Sequence, residues 1–262
     1  MNIKNLLLPL LLALPLSSWA ATQAGTVVLL TGQATALSTD GTVRKLSKNA
    51  AVFQGDLVSS GIGSYVNLKF ADGAFFLLRP ETRFQIEQFE FVAAPAPTPA
   101  PAAPVAAAPA APKPVTPAAP LVTAGAQAAP TSRAFFRLVK GGFRSVSGLI
   151  GKLNREDYRV STPVATIGIR GTSYSARICE GRCEDREQIV TDLAAAGKAI
   201  NAEDVVLITT VDDGSIAVLS PTGEALQNAC KPASNEAAAG AESTCSALVT
   251  SSDGSSTVIP RR

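Results

Sequence analysis

The chain has 262 residues, a formal net charge of +2 at pH 7, four cysteines and no histidine. A charge this close to zero gives no electrostatic basis for binding nucleic acid, where phosphate contacts supply much of the affinity. The absence of histidine excludes Ser-His-Asp and Cys-His catalysis as usually built, and it removes the commonest metal ligand.

The N-terminus predicts export. Lys4 precedes the apolar run "LLLPLLLALPL", and Ser18 and Ala20 have the spacing that a signal peptidase recognises. We expect residues 1–20 to be a signal peptide cleaved after Ala20, which places the protein in the periplasm. An uncleaved anchor is the alternative, but the run is shorter than the roughly 20 apolar residues that span a bilayer. We expect no membrane span after cleavage.

Residues 21–92 are predicted to form the first part of a β domain. Polar and apolar residues alternate in "YVNLKF", which is the period of a half-buried strand. A turn is expected at Gly55-Asp56, where apolar residues stand on both sides, and a tight hairpin is expected at Asp72-Gly73, because Asp-Gly pairs favour hairpin turns. In "TRFQIEQFEF" the alternation shifts between Ile86 and Phe89, which predicts a bulge or a bend.

Residues 93–130 are rich in proline and alanine, beginning "AAPAPTPAPAAPVAAAPAAP". Repeated proline prevents helix and sheet ladders, so we expect a long disordered insertion in one β domain. The strands ending near Phe91 and starting near Ala134 are then neighbours. The alternatives are a linker between two β domains, a ligand for a proline-recognising partner and a spacer that crosses the cell wall.

Residues 131–228 repeat the strand pattern, with strands around Gly141-Gly142 and across Asp213-Gly214. The segment "EDREQIVTDLAAAGKAI", residues 184–200, is the one predicted helix, and we expect it to pack on the outside of the sheets. The fold class is therefore all-β: a β-roll, a sandwich or a β-helix-like stack of short strands, with the insertion and one short helix.

Four cysteines in an exported chain predict disulfides. We favour Cys179–Cys183, because "CEGRC" can turn at Gly181, and Cys230–Cys245, which ties a C-terminal tail at 229–262. A zinc site built from all four thiolates is the alternative, although the spacing is poor for zinc. No metal or other cofactor is predicted.

The stretch "VATIGIRGTSYSARI", residues 164–178, contains two glycines three residues apart. A phosphate-binding loop needs a following helix, whereas the residues from Thr172 onward form a β-rich run. We therefore predict a structural role, in which Thr162-Pro163 begins a turn or an edge strand. Gly168 and Gly171 then allow a bulge or the close approach of a neighbouring strand.

Arg170 lies between the two glycines and can donate several hydrogen bonds. We expect it to hold turn carbonyls or a carboxylate, with Asp56, Asp72 and Glu81 as candidates; contact with a ligand is the alternative. Catalysis here is disfavoured, because the stretch has neither a Gly-x-Ser-x-Gly elbow nor an SxxK motif.

The order of several short motifs resembles the FecR domain family. The first half carries an opening Gly-x-Val strand, a Gly-Asp-x-Val-x-Ser-Gly turn, a strand ending in Asp-Gly and a closing Leu-x-Pro-x-Thr-x-x-x-Ile strand; these are Gly25–Val27, Gly55–Gly61, Asp72-Gly73 and Leu78–Ile86. The later "YRVSTPVATIGIRGTSY" is similar to a second element of exported members. The resemblance covers about 25–92 and 134–178, and more loosely 203–226.

This resemblance implies a periplasmic β domain. In its namesake, that domain relays the state of an outer-membrane iron–siderophore transporter to a cytoplasmic sigma factor, through a transmembrane helix and a cytoplasmic segment. Here a signal peptide stands in their place. We therefore expect a non-enzymatic exported domain that binds an envelope protein or a cell-wall polymer, in envelope or iron-related sensing. The alternatives are a structural scaffold of the envelope and a secreted hydrolase. The oligomeric state is not predicted.

Overall fold

The computed structural model describes residues 21–92, 132–153, 155–169, 171–181, 183, 185–201, 203–229 and 246–260. The predicted signal peptide, the proline- and alanine-rich segment, Arg170, Cys230 and Cys245 lie outside these described residues. Within the described ranges the chain folds into strands and two short helices. The predicted all-β class is therefore confirmed.

The strands alternate with tight turns along the whole described chain. Those before residue 93 are β1 (Gln23–Thr31), β2 (Ala34–Leu37), β3 (Val43–Lys45), β4 (Ala51–Phe53), β5 (Leu57–Ser60), β6 (Tyr65–Phe70), β7 (Phe75–Leu78) and β8 (Arg83–Glu90). Those after it are β9 (Arg133–Lys140), β10 (Gly142–Val146), β11 (Tyr158–Ser161), β12 (Thr166–Ile169), β13 (Ser173–Cys179), β14 (Val206–Asp213), β15 (Ser215–Ser220), β16 (Gly223–Asn228), β17 (Ser246–Ser251) and β18 (Ser256–Pro260). The helices are α1 (Leu149–Leu153) and α2 (Arg186–Ala195).

Two nine-stranded sheets contain all of these strands. Sheet A has the order β18-β17-β14-β13-β10-β7-β6-β1-β4, and sheet B has the order β16-β15-β12-β11-β9-β8-β5-β2-β3. Strands β8 and β9 pair directly, with Glu90 opposite Arg133. The strands on either side of residues 93–131 are thus neighbours, and each sheet is built from both parts of the chain.

Aromatic rings fill the space between the sheets. Phe76 of sheet A lies 4.9 Å from Phe136 of sheet B, measured between ring centroids, and Phe70 lies 5.0 Å from the same ring. Phe84 of sheet B also contacts Phe76. Burying one such ring contributes about 1.5–3 kcal/mol. The face-to-face packing makes the fold a sandwich, because side chains of both inner faces interdigitate in one core.

Two local features of the strands match the sequence pattern. Strands β6 and β7 form a hairpin across Asp72 and Gly73, and Gly73 has a positive φ of 85°. The register of β8 against β9 shifts between Ile86 and Gln88, which confirms the predicted bulge. The shift keeps both Ile86 and Phe89 in the core, whereas strict alternation would turn one of them to solvent.

Buried hydroxyl groups satisfy the backbone where the chain passes from one sheet to the other. Between β9 and β10, the Thr82 hydroxyl donates to the Gly142 carbonyl at 2.9 Å and accepts from the Gly142 N–H at 3.0 Å. Near β13, the Ser147 hydroxyl donates to the Thr172 carbonyl and accepts from the Thr172 N–H. A buried N–H or carbonyl without a partner costs about 1–3 kcal/mol, so these hydroxyls stabilise the crossings.

The predicted helix at 184–200 is shorter than expected. Helix α2 spans Arg186–Ala195 and ends because Gly197 adopts a positive φ of 79°, with the Lys198 N–H bonded to the Leu193 carbonyl. Its buried residues Ile189 and Leu193 pack on the outer face of sheet A. Helix α1 was not predicted, so the expectation of a single helix was wrong. Neither helix of the described residues is long and apolar enough to cross a membrane.

Candidate functional site

The stretch around Gly171 is a passage from sheet B to sheet A. Strand β12 ends at Ile169 in sheet B, and β13 begins at Ser173 in sheet A. Gly171 has a φ of 68°, and the Thr172 hydroxyl donates to the Ser215 carbonyl at 2.8 Å. The glycine provides a backbone conformation that other residues adopt only at a cost. This part of the chain thus connects the sheets.

The predicted close approach of a strand at Gly168 was wrong. A Cβ atom added there would find its nearest neighbour, the Ala217 carbonyl oxygen, at 3.9 Å, which is an ordinary contact. Gly168 has no positive φ and lies within strand β12. At Gly171, likewise, the conformation and not the available space requires glycine, since an added Cβ would have no atom within 4 Å.

Thr162 and Pro163 form the turn between β11 and β12. The Thr162 hydroxyl donates to the Ala165 carbonyl at 2.8 Å and accepts from the Val164 and Ala165 N–H groups at 3.2 Å and 3.0 Å. One side chain thereby closes a four-residue hairpin, as serine and threonine do in turns. The hydroxyl of Thr162 is therefore committed to the turn.

Asp56, in the turn after Gly55, is a buried carboxylate held by its own neighbourhood. It accepts hydrogen bonds from the Phe53 N–H at 2.8 Å and from the Ser38 hydroxyl at 3.1 Å, and it pairs with the Arg44 guanidinium. Asp56 was one of the carboxylates predicted to pair with Arg170, and the cation observed beside it is Arg44. The arrangement braces the turn.

Asp72 holds the start of helix α1 from a distant part of the chain. Its carboxylate accepts from the Ala74 N–H at 3.0 Å and the Ile150 N–H at 3.4 Å, and its carbonyl accepts from the Leu149 N–H at 2.9 Å. A Cβ atom on Gly148 would lie 2.2 Å from the Asp72 carboxylate, so that glycine permits the approach. Burial raises the pKa of Asp72, while the accepted hydrogen bonds act in the opposite direction.

The motif residues therefore do not converge on one site. Asp56 and Asp72 share no hydrogen-bond partner, and Thr162 and Thr172 each bond to different backbone groups. Among the described residues, no group of three acidic or cysteine side chains is arranged to hold a metal ion. These motifs, which are the most regular parts of the sequence, stabilise turns and crossings.

One of the two predicted disulfides is present. Cys179 and Cys183 are bonded, with Cα atoms 5.4 Å apart, and Gly181 between them has a positive φ of 57°. Two bonded cysteines cannot act as thiolate ligands, which excludes the alternative of a zinc site built from all four thiolates. The Arg186 guanidinium lies 3.5 Å from the Cys179 sulfur and also donates to the Asn201 carbonyl. The disulfide thus fixes the entry to helix α2.

A groove on the outer face of sheet A is the candidate binding site, and we call it the sheet A groove. It consists of two adjoining depressions of about 380 Å³ and 410 Å³ that share Arg79 and Arg177. One end lies at Tyr65 on β6, and the other at Ile259 on β18. Helix α2 forms one wall. The groove crosses seven neighbouring strands, a span of about 29 Å at the usual strand spacing.

Gly142 lies in the sheet A groove between the two arginines. The register places Gly142 directly opposite Arg177 on β13, and its carbonyl accepts a hydrogen bond from the Arg79 N–H at 2.9 Å. Gly142 has no side chain to fill the space between these neighbours. A Cβ atom there would lie 2.9 Å from the Ala176 carbonyl oxygen, so the close packing of β10 against β13 also requires glycine.

Charges of both signs line the sheet A groove. Arg177 lies 3.8 Å from Asp185 at the start of helix α2, and Asp192 lines the same depression about two turns later. Lys140 and Glu180 line the other depression. The floor includes the hydroxyls of Ser175 and Thr210. Such a surface can form ion pairs and hydrogen bonds with an extended partner that itself carries both charges.

Sequence analysis missed the sheet A groove. Arg79 directly follows strand β7 and Arg177 lies on β13, so only the pairing of β7, β10 and β13 brings them to either side of Gly142. A signal was present nonetheless: in "SYSARIC" the outward positions carry Ser175 and Arg177, so the strand has a polar outer face. The periodicity could show that Ser175 and Arg177 lie on the outer face of the sheet, but it could not show which strands lie on either side of β13.

The only deeply buried pair of phenols lies away from the groove, in the core of the described residues. The Tyr158 and Tyr174 hydroxyl oxygens are 3.3 Å apart. Burial raises the pKa of both hydroxyls well above the ordinary value for tyrosine. Both therefore remain neutral at physiological pH and contribute packing and one hydrogen bond.

No protein-family model matches this chain, and no curated protein matches it. Among solved structures, it is similar to two crystal structures of a "putative anti-sigma factor" from Parabacteroides distasonis, with TM-scores of 0.40 and 0.39 and 10% sequence identity. Each match covers 78% of this chain and 59% of that one, so the chain spans less than two thirds of that protein's length. Similarity at this level carries no information about what the chain binds.

Proposed function

We propose that this chain is a non-enzymatic, FecR-like domain of the cell envelope that binds an extended segment of a partner protein. The observation that carries the proposal is the sheet A groove, which crosses seven strands beside helix α2. At about 3.3 Å per residue, its span of about 29 Å accommodates roughly nine extended residues. The periplasmic location and a role in envelope or iron-related sensing belong to the same proposal.

The lining of the groove favours a polypeptide over an apolar ligand. Arg79 and Arg177 lie near its middle, and Asp185 and Asp192 lie along the wall formed by α2. A segment with acidic residues at its centre and basic residues toward one end complements this order of charges. Backbone groups of such a segment can bond to the Ser175 and Thr210 hydroxyls on the floor.

Site-specific photocrosslinking in cells tests the proposal. A photoreactive phenylalanine at Gln188, which faces the groove, is compared with the same residue at Glu187, which lies on the same helix but does not line it. We expect a discrete adduct only from Gln188, because only that position lies against the bound segment. The combined change Arg79→Glu and Arg177→Glu should remove the adduct.

Two results would contradict the proposed function. Equal adducts from both helix positions would indicate unspecific encounter, and the absence of any adduct from Gln188 would place the partner elsewhere. Circular dichroism of the double arginine variant provides the control for folding. Both arginines extend from the outer face of the sheet, so we expect the fold to tolerate their replacement.

A further inference from the structure

The turn between β5 and β6 presents an isoleucine to solvent. Ile62 is 87% exposed, the highest fraction among the large apolar side chains of the described residues. It lies between Gly61 and Gly63 at the tip of the turn. Single exposed apolar residues are common and need no explanation by themselves. The surroundings of Ile62 make this one informative.

The backbone of the turn is held on both sides. The Gly61 N–H donates to the Gln33 carbonyl at 2.9 Å, and the Gln33 N–H donates to the Ser64 hydroxyl at 2.9 Å. The Gly61 carbonyl accepts from the Glu81 N–H at 3.2 Å, and Gly63 has a positive φ of 64°. Three hydrogen bonds therefore hold the base of the turn, and Ile62 lies exposed at its tip.

Two cations lie beside this tip. Arg83 and Lys140 line the same shallow depression as Ile62, together with Ser59 and Glu81. The strand register places a row of residues side by side across five neighbouring strands of sheet B: Lys45, Thr35, Ser59, Arg83 and Lys140. At the usual strand spacing this row is about 19 Å long. Three of its five residues are basic and the other two carry hydroxyls.

The basic residues of this row are not neutralised by ion pairs. Within the ranges that the structure describes, no salt bridge involves Lys45, Arg83 or Lys140. All three side chains are exposed. Glu81, at the rim of the depression, is the acidic residue that lines it. The row together with Ile62 forms what we call the basic edge.

Firmly held apolar tips beside exposed cations fit the boundary between lipid headgroups and acyl chains. Lysine is depleted at protein interfaces, so a row that contains the unpaired lysines Lys45 and Lys140 is less suited to a protein partner. We propose that the basic edge docks reversibly on an anionic lipid surface. Ile62 enters the headgroup region, while Lys45, Arg83 and Lys140 contact the phosphates.

The location of the basic edge makes this docking compatible with the proposed function without depending on it. Ile62 and Arg83 do not line the sheet A groove, whereas Lys140 lies at its end. Helix α2 and most of the groove are on the opposite sheet. A docked molecule thus keeps the groove open along most of its length.

A tryptophan reporter tests the insertion of Ile62. The only tryptophan of the chain is Trp19, which leaves with the signal peptide when cleavage follows Ala20. Ile62→Trp is expressed as the full-length chain, and the mature form is purified from the periplasm and checked by N-terminal sequencing. With vesicles of phosphatidylcholine and phosphatidylglycerol at 7:3, we expect a blue shift of the emission. Val146→Trp, on the outer face of sheet A, should show no shift.

Co-sedimentation with the same vesicles tests the cations. Each Lys or Arg near an anionic surface changes the partition coefficient about fivefold, so Arg83→Gln with Lys140→Gln should reduce it roughly 25-fold. The matched control removes two exposed cations of sheet A, Lys69→Gln with Arg144→Gln, and should change it less than twofold. Vesicles of phosphatidylcholine alone should not bind the protein.

Three outcomes would overturn the proposal. The first is no partition of the wild-type protein onto anionic vesicles, and the second is an equal loss in the control pair. The third is binding to a soluble polyanion such as polyphosphate with no binding to vesicles, which would assign the basic edge to a soluble polymer. Loss of the Gln188 photoadduct concerns the sheet A groove alone, so the two proposals fail separately.

Discussion

Two glycines lie where the chain passes from sheet B to sheet A, and they serve different purposes. Gly141 follows β9 with a φ of 81°, and an added Cβ would lie 2.6 Å from the Thr82 Cα atom. Gly171 follows β12 with a φ of 68°, and an added Cβ would have no neighbour within 4 Å. The first crossing needs both a special conformation and empty space, and the second needs only the conformation.

A distant hydroxyl serves both crossings. Thr82 bonds to the Gly142 backbone 60 residues later in the chain, and Ser147 bonds to the Thr172 backbone 25 residues later. The crossings differ in the space around the glycine, because Thr82 lies against Gly141 whereas no atom would lie within 4 Å of a Cβ on Gly171. A crossing packed against a distant residue is less tolerant of change than one with free space, since neither partner can shift alone.

The largest loss of stability is expected for Gly141→Ala. The positive φ costs about 1–2 kcal/mol for a residue with a Cβ atom, and the contact with the Thr82 backbone adds about 1–3 kcal/mol of overpacking. We therefore expect a loss of about 2–5 kcal/mol in the free energy of unfolding, measured by urea titration. A variant as stable as wild type would show that Thr82 can move and that the two crossings are equivalent.

Gly171→Val should cost less, about 1–3 kcal/mol, because only the backbone conformation is strained. Thermal and urea unfolding measure the loss. Partner binding, followed by the Gln188 photoadduct, should persist below the lowered melting temperature. If this variant melts like wild type and loses only binding, the stretch contacts a ligand and its structural assignment is wrong.

Asp72 gives the Gly171 crossing a dependence on pH. It holds the start of α1, and the neighbouring Ser147 bonds to Thr172 at the crossing. Because burial raises its pKa in the folded state, the folded protein binds this proton more tightly than the unfolded chain does. The stabilising contribution is complete below the unfolded pKa and is lost as pH rises through the folded pKa.

Asp72→Asn removes this titration. As the pH is lowered from 7 to 4, we expect the free energy of unfolding of wild type to rise relative to that of the variant. Urea unfolding at both pH values measures this difference. Asp40→Asn is the control, since Asp40 is exposed and its pKa is lowered by hydrogen bonds with Thr42. Its pH dependence should have the opposite sign. A constant difference for Asp72→Asn would mean that its carboxylate is solvated in the folded protein.

The smallest change in stability is expected for Gly168→Ala. Alanine fits the strand conformation and meets no atom nearer than 3.9 Å, while glycine in a strand interior is less favourable by about 0.5–1 kcal/mol. The variant should unfold at the same urea concentration as wild type or slightly higher. A clear loss of stability would show that an added Cβ at Gly168 clashes with a neighbouring residue, as it does at Gly141.

Sequence periodicity predicted the strands because alternating burial depends on neighbours along the chain. The bulge between Ile86 and Gln88 and the hairpin at Asp72-Gly73 could be predicted for this reason. Helix α1 could not, since five residues form a helix here only when Asp72 supplies acceptors from 78 positions away. The sheet A groove could not be predicted for the same reason, because its two arginines are brought together only by the pairing of β10 with β7 and with β13.

Local patterns in the sequence predicted the β class, the positions of the tight turns and the Cys179–Cys183 bond, whose partners are four residues apart. Each depends on φ preferences, alternation of polarity or a short loop, all of which act within a few residues. The tertiary structure alone decided which crossings have room for a side chain, which cation braces Asp56, and where Ile62 and its basic row lie. Those properties arise from distances between strands far apart in the chain, which exist only once the two sheets have packed.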